Sequence, residues 1–178
     1  MKIFLCGFMG AGKTRLLRRL EGNSDHGWSF LDLDAGIEQD EKMSIDSIVE
    51  KNGWDYFRKL ERDWIERILD SQNGKIIVAI GGGALCGGNL EKILKVEGAS
   101  LVWIKTPLDI CIERISSEDG RPLVCNGVKY LKDLYRQRCD DYEFSQVHLD
   151  VEEQDSIIHP DGLLECCRDL TRIGRIDM

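Results

Sequence analysis

The chain has 178 residues and a formal net charge of −8, which suits a single domain with a substantial hydrophobic core. This acidic balance, without a basic stripe, argues against nucleic acid or an anionic membrane surface as a partner. Seven cysteines with no Cys-x-x-Cys pair favour thiols in a reducing compartment over a disulfide framework or a metal site. Because no apolar stretch approaches the length of a membrane span, we expect a cytoplasmic protein.

The first predicted element is a buried strand over residues 3–6 that leads into a glycine-rich turn and then a helix over 14–20. The turn reads Gly7-Phe-Met-Gly10-Ala11-Gly12-Lys13-Thr14, which matches the phosphate-binding P-loop. Its glycines let several backbone N–H groups point at one anion, and the helix adds the positive end of its dipole. Lys13 supplies a charge for the β- and γ-phosphates, and the Thr14 hydroxyl can bind Mg²⁺. The alternative is a turn that binds nothing.

A second short strand, predicted over residues 28–34, ends in two aspartates. Alternation along a strand would put Asp32 and Asp34 on the same face, at the strand end where α/β folds collect ligand groups. Two neighbouring carboxylates repel unless a cation or a substrate hydroxyl takes up the charge. One carboxylate would then help to hold Mg²⁺ and the other would accept a hydrogen bond from a substrate hydroxyl. The alternative is a pair of solvated loop acids or a helix cap, with Asp34 capping residues 35–39.

Two helices are predicted next, over residues 44–52 with Ser44 as the N-cap and over 54–70. In the second helix the apolar residues recur at helical spacing, so most of them are predicted to be core. Arg58 and Glu61 lie three residues apart on one flank of this helix. On its own, this spacing favours a surface ion pair worth up to about 0.5 kcal/mol.

The third predicted strand, over residues 75–80, runs directly into Gly81, Gly82 and Gly83. Three glycines at the end of a buried strand expose backbone N–H groups and let a ligand approach closely; a simple tight turn is the alternative. A helix over 89–96, a fourth strand over 101–105 and a helix from Pro107 to about 116 follow.

A polar loop over about 117–127 joins two strong helices and carries Arg121. Loops of this length in a compact domain are usually functional or disordered, so Arg121 could swing over bound phosphates as part of a mobile lid. A helix over 128–144, a fifth strand over 147–151 and a terminal helix over 160–173 complete the pattern. Five strand–helix repeats predict one three-layer α/β/α domain over residues 1–178, with a five-stranded parallel sheet.

Taken in series, these motifs resemble the shikimate kinase family over residues 1 to about 151. The P-loop alone indicates only a nucleotide binder. Much more specific are the Asp-x-Asp segment, Phe57-Arg58-x-x-Glu61, the triple glycine, and Arg121-Pro122-Leu123 after Arg114, followed by Arg138 and Tyr142. The resemblance implies a nucleoside-monophosphate-kinase-like fold with strand order 2-3-1-4-5. It also implies transfer of the γ-phosphate of ATP to the 3-hydroxyl of shikimate, in the pathway to chorismate and the aromatic amino acids.

The resemblance also implies the site residues by position. Catalysis would fall to Lys13, Asp34 and Arg121, and Mg²⁺ to Thr14 and Asp32. ATP would be bound by Gly10, Ala11, Gly12, Lys13, Thr14, Arg15, Arg114 and Arg121. Shikimate would be bound by Asp34, Arg58, Gly81, Gly82, Gly83 and Arg138, with Arg58 and Arg138 suited to bidentate bonds to its carboxylate. ATP and shikimate are the expected partners of a monomer.

Some positions depart from the family pattern. Trp54 and Asp140 stand where an acid and a proline are usual, and Ile80 replaces Thr or Ser. The segment after the last strand, 152–155, is predicted to be an acidic loop and lacks an arginine often found near adenine. Two other functions are the alternatives. A gluconate-type kinase shares the P-loop and lid, but Arg58, Glu61 and the triple glycine argue against it. A nucleotide-dependent GTPase switch should carry Asn-Lys-x-Asp to recognise guanine, and the sequence has no such tetrapeptide. A degenerate kinase used as a binding module should have lost Lys13, Asp34 or Arg121, and all three are present.

Overall fold

The structure is a computed structural model that describes residues 1–25, 27–72, 74–116 and 127–173. The centre of the fold is a five-stranded parallel sheet. Its strands are β1 Lys2–Cys6, β2 Trp28–Asp32, β3 Lys75–Ala79, β4 Ala99–Ile104 and β5 Val147–Leu149. The strand order is β2-β3-β1-β4-β5, and every pairing is parallel. The strand order implied by the family resemblance is therefore confirmed.

Helices connect and flank the strands. They are α1 Lys13–Gly22, α2 Leu33–Glu41, α3 Ile45–Asn52, α4 Trp54–Asp70, α5 Asn89–Lys95, α6 Leu108–Ser116, α7 Gly127–Tyr142, α8 Val151–Ser156 and α9 Pro160–Ile173. The central strands are continuous apolar runs because helices cover both faces of such a sheet; from Ile3 to Cys6, β1 is fully buried. In the part of the chain that the structure describes, no helix is long and apolar enough to cross a membrane.

The end of β2 differs from its predicted form. The strand stops at Asp32, whose side chain accepts a hydrogen bond from the Ala35 N–H at 3.4 Å and so caps α2. Asp34 therefore lies in the first turn of a helix, and the prediction that both aspartates share one face of a strand is wrong. The physical reason is that the Asp32 carboxylate satisfies one of the free N–H groups at the helix start.

Two of the predicted loops are the acidic segment after β5 and the lid. The acidic segment after β5 is the short helix α8, which starts with a capping box between Asp150 and Glu153 and was predicted as a loop. The lid predicted over about 117–127 falls almost wholly on residues 117–126, which lie outside the described residues, as does Arg121; Gly127 begins α7.

Candidate active site

The P-loop wraps from the end of β1 to the start of α1. Gly7 and Gly10 have φ values of 141° and 74°, which only glycine adopts without strain. A Cβ atom on Gly10 would also lie 2.6 Å from the carbonyl oxygen of Cys111, and one on Gly7 would lie 2.8 Å from that of Ile104. The loop is therefore pressed against β4 and α6, and both glycines are required for that close approach.

Lys13, the first residue of α1, folds back onto the loop that precedes it. Its Nζ donates hydrogen bonds to the carbonyl oxygens of Gly7 at 2.8 Å and Phe8 at 3.1 Å. Burial lowers the pKa of this amine, and the negative charge of Asp34 opposes that shift. An ammonium group that is shielded from water attracts phosphate oxygens more strongly than an exposed one does.

Thr14 and Asp32 form a pair of oxygen donors beside Lys13. The Thr14 hydroxyl donates to Asp32 Oδ2 at 2.7 Å, which leaves the lone pairs of the hydroxyl oxygen available. Hydroxyl and carboxylate oxygens are the ligands that Mg²⁺ prefers. The donor set therefore fits a magnesium ion.

These residues line a first cleft of about 370 Å³. Its walls are Met9, Gly10, Gly12, Lys13, Thr14, Arg15, Asp32, Asp34, Ala79, Ile80, Gly82 and Arg114. Arg114 is tied to the loop, since its Nη1 donates to the carbonyl oxygens of Gly10 at 3.1 Å and Ala11 at 3.2 Å. Ala11 is the one predicted nucleotide residue of the P-loop that is absent from the lining: it is buried, and its N–H donates to the Phe8 carbonyl at 3.1 Å.

A second cleft of about 370 Å³ opens next to the first. Its walls are Met9, Asp34, Glu38, Ile45, Asp46, Trp54, Phe57, Arg58, Glu61, Gly81, Gly82, Gly83 and Arg138. Met9, Asp34 and Gly82 line both clefts. The predicted substrate residues are therefore all brought together in one cavity, and Asp34 stands between that cavity and the P-loop.

Two guanidinium groups face this second cleft. Arg58 lies 5.3 Å from the ring centroid of Trp54 and 5.5 Å from that of Phe57, and its Nη1 pairs with Glu61. Arg138, on α7, lies 5.5 Å from the ring of Phe8. Aromatic faces hold both cations in place, so their charges are fixed in the cavity before any ligand binds.

Glu61 is completely buried, and the interpretation of Arg58 and Glu61 as a surface ion pair is wrong. Burial raises the pKa of Glu61, and the positive charge of Arg58 offsets part of that shift. Its Oε1 atom has no hydrogen-bond partner in the described part of the chain. Glu61 therefore fixes the position of Arg58 from the protein interior.

The triple glycine makes room for these charged side chains. A Cβ atom on Gly81 would lie 2.7 Å from Glu61 Oε1, and one on Gly83 would lie 2.6 Å from an Arg58 nitrogen. The segment is also a turn, with the Ala84 N–H donating to the Gly81 carbonyl at 3.0 Å. The Tyr142 hydroxyl donates to the Gly82 carbonyl and so joins α7 to this turn.

Asp34 is the acid that the two clefts share. Burial is the main reason that its pKa is raised, and the charges of Lys13 and Arg58 act in the opposite direction. Its Oδ1 atom is buried without a hydrogen-bond partner among the described residues. A buried acceptor without a donor destabilises the fold. This unpaired state is expected of a carboxylate whose partner is a hydroxyl of the ligand.

Sequence reasoning missed several residues of the site. Met9, Glu38, Ile45 and Asp46 line the second cleft. Met9 stands at an unspecified position of the P-loop motif, and no motif of the sequence assigns the other three a role. Gln154 of α8 lies beside the P-loop, with its Oε1 atom 3.5 Å from a Cβ placed on Gly12. The Asp150-x-x-Glu153 capping box is the sequence signal that would have identified α8 as a helix.

Comparisons with known proteins point to one family. The family model for shikimate kinase matches residues 9–166. A shikimate kinase of Persephonella marina is 36% identical over 151 residues, which cover 84% of this chain and 88% of that protein. Among solved structures, shikimate kinase from Acinetobacter baumannii in complex with shikimate has a TM-score of 0.74 at 27% identity and covers 99% of this chain and 94% of that one. Shikimate kinase from Aquifex aeolicus has a TM-score of 0.76 at 25% identity, with 94% and 96% covered. The chain therefore belongs to the shikimate kinase family, whose members transfer a phosphoryl group to a hydroxyl of shikimate.

Proposed function

We propose that this chain transfers the γ-phosphoryl group of ATP to the 3-hydroxyl of shikimate, giving shikimate 3-phosphate and ADP. The observation that carries the proposal is the meeting of two clefts at Asp34. One cleft is lined by a P-loop, and the other holds two arginines and, among the described residues, no phosphate-binding loop of its own. This arrangement suits a polyphosphate donor on one side and a small carboxylate with hydroxyl groups on the other.

The acceptor is held by charge and oriented by Asp34. Arg58 and Arg138 bind the shikimate carboxylate through charge-assisted hydrogen bonds, each worth about 1.5–3 kcal/mol. Asp34 lines the same cleft as the two arginines, so a hydroxyl of the shikimate ring can face Asp34 while the arginines bind the carboxylate. The free Oδ1 atom of Asp34 accepts the hydrogen bond of the attacking hydroxyl and takes its proton.

The donor is held by the P-loop and by Lys13, Arg15 and Arg114. Thr14 and Asp32 hold Mg²⁺, which supplies charge neutralisation on the phosphates when it is bound. Phosphoryl transfer needs mainly positioning and charge stabilisation from the protein. Lys13 provides both, because its amine exchanges the carbonyl oxygens of Gly7 and Phe8 for phosphate oxygens.

Arg121 closes the donor cleft in this proposal. It lies in the segment predicted to be a lid, and a lid arginine adds positive charge over the transferring group. Closure would also exclude water and limit hydrolysis of ATP without an acceptor. This part of the proposal rests on the sequence resemblance, since Arg121 lies outside the described residues.

We also propose that the protein works as a monomer in the cytoplasm. The compartment is supported by the cysteines, since all six in the described part of the chain are free thiols: Cys6, Cys86, Cys111, Cys139, Cys166 and Cys167. Six free thiols in one chain are typical of a reducing compartment.

Acceptor-dependent release of ADP tests the proposed function. The assay supplies Mg-ATP with shikimate, gluconate, a nucleoside monophosphate or no acceptor, in parallel. The proposal predicts release with shikimate alone. Release with gluconate instead would preserve the donor cleft but overturn the acceptor, and release independent of any acceptor would overturn the transfer reaction.

A further inference from the structure

A buried chain of hydrogen bonds joins α8 and the end of β4 to the backbone of the P-loop. Gln154 Nε2 donates to Thr106 Oγ1 at 3.2 Å and to the Leu149 carbonyl at 3.1 Å. Thr106 Oγ1 in turn donates to the Ala11 carbonyl at 2.8 Å. Thr106 is 2% and Gln154 7% exposed. We call Gln154, Thr106 and the Ala11 carbonyl the Gln154–Thr106 relay.

The chemistry of the groups fixes the direction of the relay. The Leu149 carbonyl can only accept, so the Gln154 atom beside it is the amide nitrogen, and the same nitrogen reaches Thr106. A threonine hydroxyl has one proton and two lone pairs. Because Gln154 occupies a lone pair of the hydroxyl oxygen, the single proton of Thr106 is directed at Ala11.

The relay determines the orientation of one peptide group of the P-loop. The peptide bonds of the described chain are trans, so the carbonyl of Ala11 and the N–H of Gly12 point in opposite directions. A carbonyl held on the side of Thr106 therefore keeps the Gly12 N–H on the opposite side, and Gly12 lines the first cleft. Gly12 itself has φ 108° as the N-cap of α1, a conformation in which a glycine peptide can easily turn over if nothing holds it.

Arg114 also holds this peptide, but over a longer distance. Its Nη1 reaches the Ala11 carbonyl at 3.2 Å and the Gly10 carbonyl at 3.1 Å, so the two N–H groups of that nitrogen are divided between two carbonyls. It is also in the wall of the first cleft, where a bound nucleotide competes for its guanidinium. Thr106 has no such competing task because it is buried away from both clefts.

We infer that Gln154 and Thr106 are positioning residues for nucleotide binding, acting through the Ala11–Gly12 peptide. This inference rests on the proposed function for the identity of the ligand, an adenine nucleotide. The relay does not touch the second cleft. It therefore affects the binding of phosphate groups and leaves the binding of the acceptor unchanged.

The experiment measures the dissociation constants of Mg-ADP and of shikimate separately by calorimetry. Thr106→Val keeps the shape of the side chain but removes the hydroxyl. Gln154→Met removes the donor that orients the hydroxyl. Thr106→Ser retains the hydroxyl. The loss of one buried hydrogen bond predicts a rise of about three- to tenfold in the ADP dissociation constant for Thr106→Val. The rise is smaller for Gln154→Met and absent for Thr106→Ser, and shikimate binding is unchanged in all three.

A control variant lies on the same helix as Gln154. The Ser156 hydroxyl donates to the Glu153 carbonyl at 2.8 Å at an exposed position, and Ser156→Ala should leave both dissociation constants unchanged. An ADP affinity within twofold of the wild type in Thr106→Val would overturn the inference. So would an equal weakening of ADP and shikimate, since a purely structural role predicts that result.

Two features keep the test decisive. If Thr106→Val does not fold, Gln154→Met and Thr106→Ser are judged by the same comparison of ADP with shikimate. Because ADP binding needs no acceptor, a wild-type protein that fails to phosphorylate shikimate would overturn the proposed function while the ADP constants still decide the role of the relay.

Discussion

Removal of Arg58 should have two separable effects, because this residue faces the acceptor cleft and also compensates a buried acid. Loss of one charge-assisted interaction of about 1.5–3 kcal/mol corresponds to about a 10- to 100-fold weaker binding of shikimate in Arg58→Ala. ATP binding should not change, because Arg58 is absent from the first cleft.

The second effect of Arg58→Ala is on stability. The Glu61 side chain is 1% exposed and that of Arg58 is 25% exposed. Breaking a fully buried ion pair costs about 3–5 kcal/mol, and the partial exposure of Arg58 reduces this to about 2–3 kcal/mol. In a domain of this size, that loss lowers the melting temperature by about 5–10 °C.

The double variant Arg58→Ala/Glu61→Gln separates the two effects. Glu61→Gln removes the uncompensated charge while it keeps the size of the side chain, so most of the lost stability should return. Shikimate affinity should not return, because the second cleft still lacks the guanidinium. A double variant as unstable as Arg58→Ala would refute the buried-charge argument, and one that binds shikimate like the wild type would refute the assignment of Arg58.

The pH dependence of stability gives an independent test of the same argument. Burial raises the pKa of Glu61 in the folded protein, and Arg58 lowers it, so Arg58→Ala raises it further. A raised carboxyl pKa stabilises the fold fully below the unfolded pKa, and this contribution is lost as pH rises through the folded pKa. The gap in melting temperature between the wild type and Arg58→Ala should therefore widen as the pH rises above the ordinary pKa of a glutamate side chain. In the double variant the gap should stay constant, and a gap that narrows with pH would contradict the account.

Three further predictions concern the donor side and the transfer step. Lys13→Ala should lower kcat by about 10²–10³, as loss of one charge-stabilising donor does. The control in steady-state kinetics is Lys95→Ala, which removes only an exposed pair with Glu91. Normal turnover in both variants would reject the role of Lys13. Asp34→Asn should lower kcat by about 10²–10⁴. It should also abolish the rise of kcat with pH through the raised pKa of Asp34, so a pH profile that keeps this limb would assign the proton acceptor elsewhere. Arg121→Ala should lower kcat strongly and leave shikimate binding nearly intact, and calorimetry that finds the reverse would exclude a lid role.

The architecture was predictable because its signals are local. The apolar runs of β1, β3 and β4, the glycine-lysine-threonine turn and the helical periodicity of α4 each follow from short-range chemistry. The strand order is different in kind: the order β2-β3-β1-β4-β5 came from the family resemblance, because no pattern within a single strand states which neighbour it pairs with.

The site was predictable where residues belong to a motif and not where burial decides their role. Sequence spacing could not show that Glu61 is interior, so Arg58 and Glu61 were interpreted as a surface pair. Asp32 was correctly predicted at the end of a strand. Its carboxylate accepts a hydrogen bond from an N–H group at the start of α2, so the strand ends at Asp32 and Asp34 lies in the helix. Gln154 and Thr106 meet across 48 residues, and a contact of that separation leaves no trace in one sequence.

In the proposed complex the acceptor hydroxyl faces Asp34 at the junction of the two clefts. The most direct test is to find where the phosphate goes, by phosphorus–proton correlation NMR of the product made from Mg-ATP and shikimate. The account predicts a single phosphate ester on the 3-hydroxyl. An ester on another hydroxyl of shikimate would contradict the proposed orientation between the two arginines and Asp34, and inorganic phosphate as the only product would contradict transfer to shikimate altogether.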